Sequence, residues 1–206
     1  TRVYVTHPSG GSISIIDTMK NIVATTIQQV VIAPSGVAVN PSGTLVYVTD
    51  PSGEMAFIID TLTDTLATTP VPVGPEALGI AVHPDGTRVY VASKQQDALH
   101  VINTEIHTPT RQPLLVGSQP DGVALSPDGI NVYVANSGSN TVSVINTLVD
   151  NVATTLPVGS GPRGVSVHPT GAYVYVANEL SDTVSVIDRV THTVVATLPV
   201  GLRPVA

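Results

Sequence analysis

A chain of 206 residues can bury a sizeable core, and with 42% hydrophobic but only 11% charged residues it does not have a disordered composition. Its apolar runs stay short of the roughly 18 residues a membrane span needs, so no transmembrane segment is expected. The net charge of −7 and the absence of cysteine leave no basic stripe for nucleic acid, no disulfide and no thiolate metal ligand.

Taken in chain order, the sequence repeats. Val-Tyr-Val followed by Thr or Ala recurs with its tyrosine at Tyr4, Tyr47, Tyr90, Tyr133 and Tyr175, at spacings of 43, 43, 43 and 42. A Pro-x-Gly turn precedes four of these, at Pro41–Gly43, Pro84–Gly86, Pro127–Gly129 and Pro169–Gly171. A second apolar run ends at Asp17, Asp60, Asn103, Asn146 and Asp188. Three markers in one phase define units at approximately 1–43, 44–86, 87–129, 130–171 and 172–206. Together they are read as a single domain or part of one.

The fourth period shows what a unit contains. Val123–Ser126 is closed by Pro127-Asp128-Gly129, in which Pro presets φ and Gly tolerates a positive φ. Val132–Ala135 ends in the turn formers Asn136 to Asn140, Thr141–Ile145 stops at Asn146-Thr147, and Val152–Val158 ends at Gly159. Short β-branched runs punctuated by Gly and Pro predict strands, and no segment carries an apolar stripe of helical period. The expected fold is all-β: a β-propeller of four-stranded antiparallel blades, about five repeats of 42–43 residues. Five units supply five sets of second, third and fourth strands but only four first strands. Two readings follow, a five-bladed ring whose closing strand is absent or a window onto a longer array, the second being favoured. In either, the open edge near Thr1–Thr6 is expected to be filled by further chain or a neighbouring molecule.

Tyr47-Val48-Thr49-Asp50, Tyr133-Val134-Ala135-Asn136 and Tyr175-Val176-Ala177-Asn178, with Val-x-Pro-x-Gly before them and Thr-Val-Ser-Val-Ile-Asp variants after, resemble the YVTN-type β-propeller repeat of surface-layer proteins. The resemblance spans essentially the whole chain and is closest in the fourth and fifth units. It departs at Val30-Val31-Ile32 and at Thr108–Gln112. It implies a seven-bladed disk outside a cell, usually without catalysis.

Candidate chemical groups are sparse. His83 and His168 share the position before Pro-x-Gly, held elsewhere by Asn40 and Ser126, where a polar side chain caps a turn. His100 is placed between blades, and His107 and His192 in loops. No ligand spacing, nucleophile elbow or phosphate loop is present. Glu54, Asp97, Asn140 and Asp182, with Gly11 in the first unit, share one loop position on the face that opens toward ligands in propellers. They are the candidate binding positions, for a cation or a cationic partner, against a simpler role in stabilising their own turns. No cofactor and no metal are expected. The first strands offer mostly small apolar residues and departures from the repeat look scattered, so the chain is expected not to be an enzyme. The expected role is a non-catalytic structural or adhesive cell-surface module, extracellular, partnered by copies of itself or neighbouring surface proteins. A lactonase-like enzyme or small-ligand binder using the central funnel is the alternative, and an intracellular interaction scaffold a third.

Overall fold

The computed structural model describes residues 1–28, 31–110 and 112–205. They form five antiparallel sheets, one per repeat, and contain no α-helix, only a three-residue 3-10 turn at Pro8–Gly10. Blades 4 and 5 follow the expected four-strand order. In blade 4 the inner strand is Pro120–Leu125, followed outward by Asn131–Asn136, Thr141–Asn146 and Asn151–Pro157. In blade 5 the order is Pro162–Val167, Tyr173–Asn178, Thr183–Asp188 and Thr193–Pro199. Blade 2 (inner strand Val37–Val39) and blade 3 (inner strand Ala77–Val82) depart at the outer edge. There the fourth strand is broken into two short pieces, Thr65–Leu66 with Val71–Pro72 and Thr108–Pro109 with Leu114–Leu115. Pro70 in one blade and Pro113 in the other fall in these breaks and cannot donate to a ladder. Blade 1 has three strands, Arg2–His7, Ser12–Asp17 and Ile22–Gln28, and its first strand has no partner on the inner side.

Blades 2 to 4 bury both faces, and blades 1 and 5 the one face that meets a neighbour, because the two faces fit each other. The tyrosine face of one blade meets the valine face of the next. Tyr4, Ile13 and Ile15 pack on Val46, Val48 and Ile59. Tyr47 and Ile58 pack on Val89, Val91 and Ile102. Tyr90 and Leu99 pack on Val132, Val134 and Ile145, and Tyr133, Val142 and Val144 on Val174, Val176 and Ile187. The register of the second strand produces this, since Tyr90 and Val89 are adjacent and alternate residues of a strand face opposite sides. Tyr47, Tyr90 and Tyr133 are fully buried, whereas Tyr175, with no blade beyond it, is 36% exposed. The four clusters join blades 1 to 5 in sequence and none joins blade 5 to blade 1.

Inner strands of successive blades run side by side, and a glycine in each sets how close they come. A Cβ on Gly36 would lie 2.3 Å from the Leu78 carbonyl oxygen, on Gly79 2.0 Å from that of Asp121, and on Gly122 2.1 Å from that of Arg163. No side chain fits. Charged staples add to the packing on the face of the Pro-x-Gly turns. Arg2 reaches the Asp64 carboxylate at 2.6 Å and Arg88 that of Asp150 at 3.0 Å, each crossing to the next blade.

Candidate ligand site at the mouth of the inner strands

Two loops of each blade share one face of the propeller. One follows the second strand, and the other leads from the previous blade into the inner strand. Backbone bonds tie them together: Lys94 N–H to the Glu76 carbonyl, Ser137 N–H to that of Gln119, and Glu179 N–H to that of Gly161. The face is therefore a rigid rim around the start of the inner strands.

Glu54, Asp97, Asn140 and Asp182 all lie on this rim, each at positive φ (58°, 51°, 56° and 55°), as does Gly11 at 55°. Three of them serve as staples. The Asp97 carboxylate accepts the Gln119 N–H at 2.7 Å, the Asn140 side-chain oxygen the Gly161 N–H at 2.9 Å, and the Asp182 carboxylate the Arg203 N–H at 2.8 Å. Each fixes the loop that follows the outer edge of its own blade. The four positions are one to a blade and do not converge. Only Asp97 borders the hollows described next.

The histidines are engaged elsewhere. His83 Nε2 donates to the Gly129 carbonyl at 3.0 Å, and Nδ1 lies 2.6 Å from the Asp85 carboxylate, so this ring ties blade 3 to blade 4. His168 Nδ1 contacts the Thr170 hydroxyl at 2.8 Å. His100 packs inside blade 3 beside Gln96, and burial pushes its pKa below the ordinary histidine value.

The rim does hold a polar cluster that the sequence hid. Two adjoining hollows of about 360 and 220 Å³ share Lys94 and Gln119. Glu76, Gln95, Asp97 and Ser118 complete the first, and Asp121, Ser137, Arg163 and Glu179 border the second. Arg163 bridges two blades, with Nε 3.1 Å from Asp121 and Nη1 3.2 Å from Glu179. Arg203 closes on the other Glu179 oxygen at 2.5 Å. Asp121 holds the Arg163 guanidinium above its ordinary pKa, and Arg203, then Arg163, hold the Glu179 carboxyl below the usual carboxylate range. Lys94 has no ion-pair partner among the described residues. It is the free cation of the site. Exchanging Arg203 for Ala removes the larger cause of the Glu179 shift, so its titration midpoint, followed by NMR, is expected to rise toward the ordinary glutamate value. An unchanged midpoint would contradict the assigned pairing.

This cluster corrects the expectation of scattered, non-converging departures. Two variable positions of the repeat meet on the rim. One starts the inner strand (Ser35, Leu78, Asp121, Arg163) and the other follows the second strand (Pro8, Pro51, Lys94, Ser137, Glu179). Comparing repeats position by position would have marked the first, which stands beside the unchanging Gly36, Gly79, Gly122 and Gly164, whereas the neighbours of the second vary as much as it does. A separate apolar hollow of about 370 Å³, bordered by Val165, Tyr175, Ala177 and Val184, lies on the open face of blade 5. At the other junctions the equivalent surface is covered by a neighbouring blade, so it reads as packing surface.

Comparison with known proteins bears on the role. The family described as "Lactonase, 7-bladed beta-propeller" matches residues 145–198, a stretch that contains Arg163 and Glu179. The chain is a β-propeller. A protein of unknown function from Desulfotomaculum acetoxidans superposes with a TM-score of 0.84 at 19% identity. A protein from Bacteroides uniformis described as a candidate 6-phosphogluconolactonase does so with 0.82 at 18%. Each match covers 100% of this chain and 70% of the other. Hydrazine synthase of Kuenenia stuttgartiensis matches with a TM-score of 0.78 and 26% identity over 86% of this chain, which spans 52% of that one. No curated protein sequence matches. The lactonase match overturns the expectation of a non-catalytic surface module: the similarity points to an enzyme-type propeller. Nothing in the comparisons favours lateral assembly of copies. No helix among the described residues is long and apolar enough to cross a membrane.

Proposed function

We propose that this propeller is a lactonase-type hydrolase whose ligand is a small hydroxylated lactone, a sugar lactone above all, held at the mouth of the inner strands. The observation that carries this reading is the asymmetric cluster of Lys94, Gln119, Asp121, Arg163 and Glu179 on one rim. Chemistry needs unlike groups converging on one point, and a repeat protein obtains them only where its repeats diverge. The partial lactonase match and the B. uniformis relative point the same way.

In this reading each residue has a task. The Lys94 ammonium polarises the lactone carbonyl and stabilises the oxyanion that forms as water adds. Glu76, whose side-chain oxygen accepts the Gln95 amide at 3.0 Å, accepts the proton of the attacking water. It returns that proton to the ring oxygen when the acyl carbon–oxygen bond breaks, giving the open hydroxy acid. Arg163, fixed between Asp121 and Glu179, orients ligand hydroxyls and carries the charge of a phosphate where the sugar has one. The repeat motif also supports a YVTN-type assignment and an extracellular location, which fractionation of the producing cells tests.

The purified chain is expected to accelerate opening of glucono-δ-lactone or its 6-phosphate, followed by acid release at constant pH. Lys94→Ala should lower kcat/KM by about a hundredfold, the scale of losing one oxyanion-stabilising group. Hydrolysis no faster than buffer for both lactones, or full activity in Lys94→Ala, would count against the proposal.

A further inference from the structure

Each blade closes its third strand with the same turn, on the face of the Pro-x-Gly turns and opposite the rim around Lys94. The residue that opens the turn fixes its backbone. The Asp17 carboxylate accepts the Met19 N–H at 2.8 Å, that of Asp60 the Leu62 N–H at 2.7 Å, and that of Asp188 the Val190 N–H at 2.9 Å. The Asn146 side-chain oxygen accepts the Leu148 N–H at 2.9 Å. A threonine hydroxyl then ties the turn to its blade, Thr61 donating to the Gly43 carbonyl, Thr104 to that of Gly86 and Thr147 to that of Gly129. Both devices engage only the backbone of the third turn residue. In blade 3 that residue is Glu105, held by the same bond to Asn103 at 2.8 Å, so the turn does not call for an apolar side chain.

An apolar side chain is nevertheless what the turns carry. Met19, Leu62, Leu148 and Val190 are 82%, 89%, 75% and 89% exposed, and in blade 3 Ile106, next to Glu105, is 64% exposed. Every blade presents one such tip, at one height around one face. Stacked sheets lie about 10 Å apart, so the tips stand apart instead of merging into the continuous apolar core that a protein partner needs. A lipid bilayer accepts separated tips on a plane, each entering the acyl boundary on its own. The charges of this face agree. Arg2, Arg88 and Arg189 are held against Asp64, Asp150 and Asp128, and Lys20 lies 3.9 Å from Asp17.

We propose that this face docks on a lipid bilayer through Met19, Leu62, Ile106, Leu148 and Val190. Zwitterionic headgroups suffice, because the cations of the face are already paired. The rim around Lys94 then points into water, open to a dissolved ligand.

Flotation of the whole chain with phosphatidylcholine vesicles tests this. Saturable association is expected at millimolar lipid. Leu62→Ser combined with Leu148→Ser should lower the partition coefficient at least about tenfold, whereas Leu180→Ser, on the opposite rim and 69% exposed, should leave it unchanged. Phosphatidylglycerol in the vesicles should weaken association, since the chain carries a net charge of −7. The chain holds no tryptophan, so Leu62→Trp reports insertion by a blue shift of its emission when vesicles are added. No association, an equal loss from Leu180→Ser, stronger binding with phosphatidylglycerol, or no blue shift would each overturn the proposal. So would tips that pair two copies of the chain, seen in sedimentation as a dimer that ignores vesicles.

Discussion

Gly79→Ala and Gly122→Ala are each expected to destabilise the propeller by roughly 3 kcal/mol or more, at the upper end of the overpacking range. The new Cβ would stand 2.0 or 2.1 Å from a carbonyl oxygen of the neighbouring inner strand, and for Gly79 also 3.0 Å from the Val123 nitrogen. Both obstacles are backbone, held by ladders on the far side, so no rotamer change relieves them. The two inner strands must separate, and the blade faces packed outside them separate as well. Gly43→Ala separates this cause from the ordinary cost of losing a glycine. Gly43 has a positive φ of 70°, but a Cβ there meets nothing within 4 Å. Its loss should cost only about 1 kcal/mol of backbone strain. Denaturant melts of the three variants check the order. A Gly79→Ala protein as stable as Gly43→Ala would contradict the close approach of the inner strands.

The second large effect concerns the tyrosines. Tyr133→Ala is expected to cost about 3–5 kcal/mol, as large aromatic-to-alanine core changes do. Its ring lies fully buried between the faces of blades 4 and 5, with Val142, Val144, Val174, Val176 and Ile187 around it. The same change at Tyr175, in the same repeat position but 36% exposed, should cost well under half as much. Equal losses would mean that blade 5 is covered in solution, and a loss under about 1 kcal/mol at Tyr133 would remove the tyrosine from the interface.

The architecture was legible in the sequence because every blade solves the same problem with the same residues. The period of Val-Tyr-Val, the Pro-x-Gly turn and the Asp or Asn closing the third strand are local signals, and each repeats. The broken outer strands of blades 2 and 3 were less legible. Thr108–Gln112 marked one departure in the pattern, but Pro70 and Pro72 sit in a stretch that otherwise keeps the repeat's Ala-Thr and Val-Gly. The rule that a tyrosine face meets a valine face needed the register of the second strand. The candidate site was hidden for a different reason. Glu76, Lys94, Gln119, Asp121, Arg163 and Glu179 come from three blades, some from the entry to an inner strand and some from the loop after a second strand, so no spacing along the chain announces them. Motif reasoning looks for regularity, and here it settled on Glu54, Asp97, Asn140 and Asp182. Their regularity reflects a turn conformation and a staple repeated in register. The unlike polar side chains gather where the repeats differ.

On the proposed function, the rim around Lys94 and Arg163 binds a small hydroxylated acid or its lactone. The most direct measurement is an NMR titration of the ¹⁵N-labelled chain with 6-phosphogluconate, the product of the proposed reaction on the phosphorylated sugar lactone. Saturable shifts are expected at the amides of Lys94, Gln119, Asp121, Arg163 and Glu179, with the Pro-x-Gly turns of the opposite face unmoved. The shifts should be lost in an Arg163→Met variant that keeps the wild-type spectrum elsewhere. Shifts confined to the opposite face or to the open faces of blades 1 and 5, or none at millimolar product, would contradict the claim.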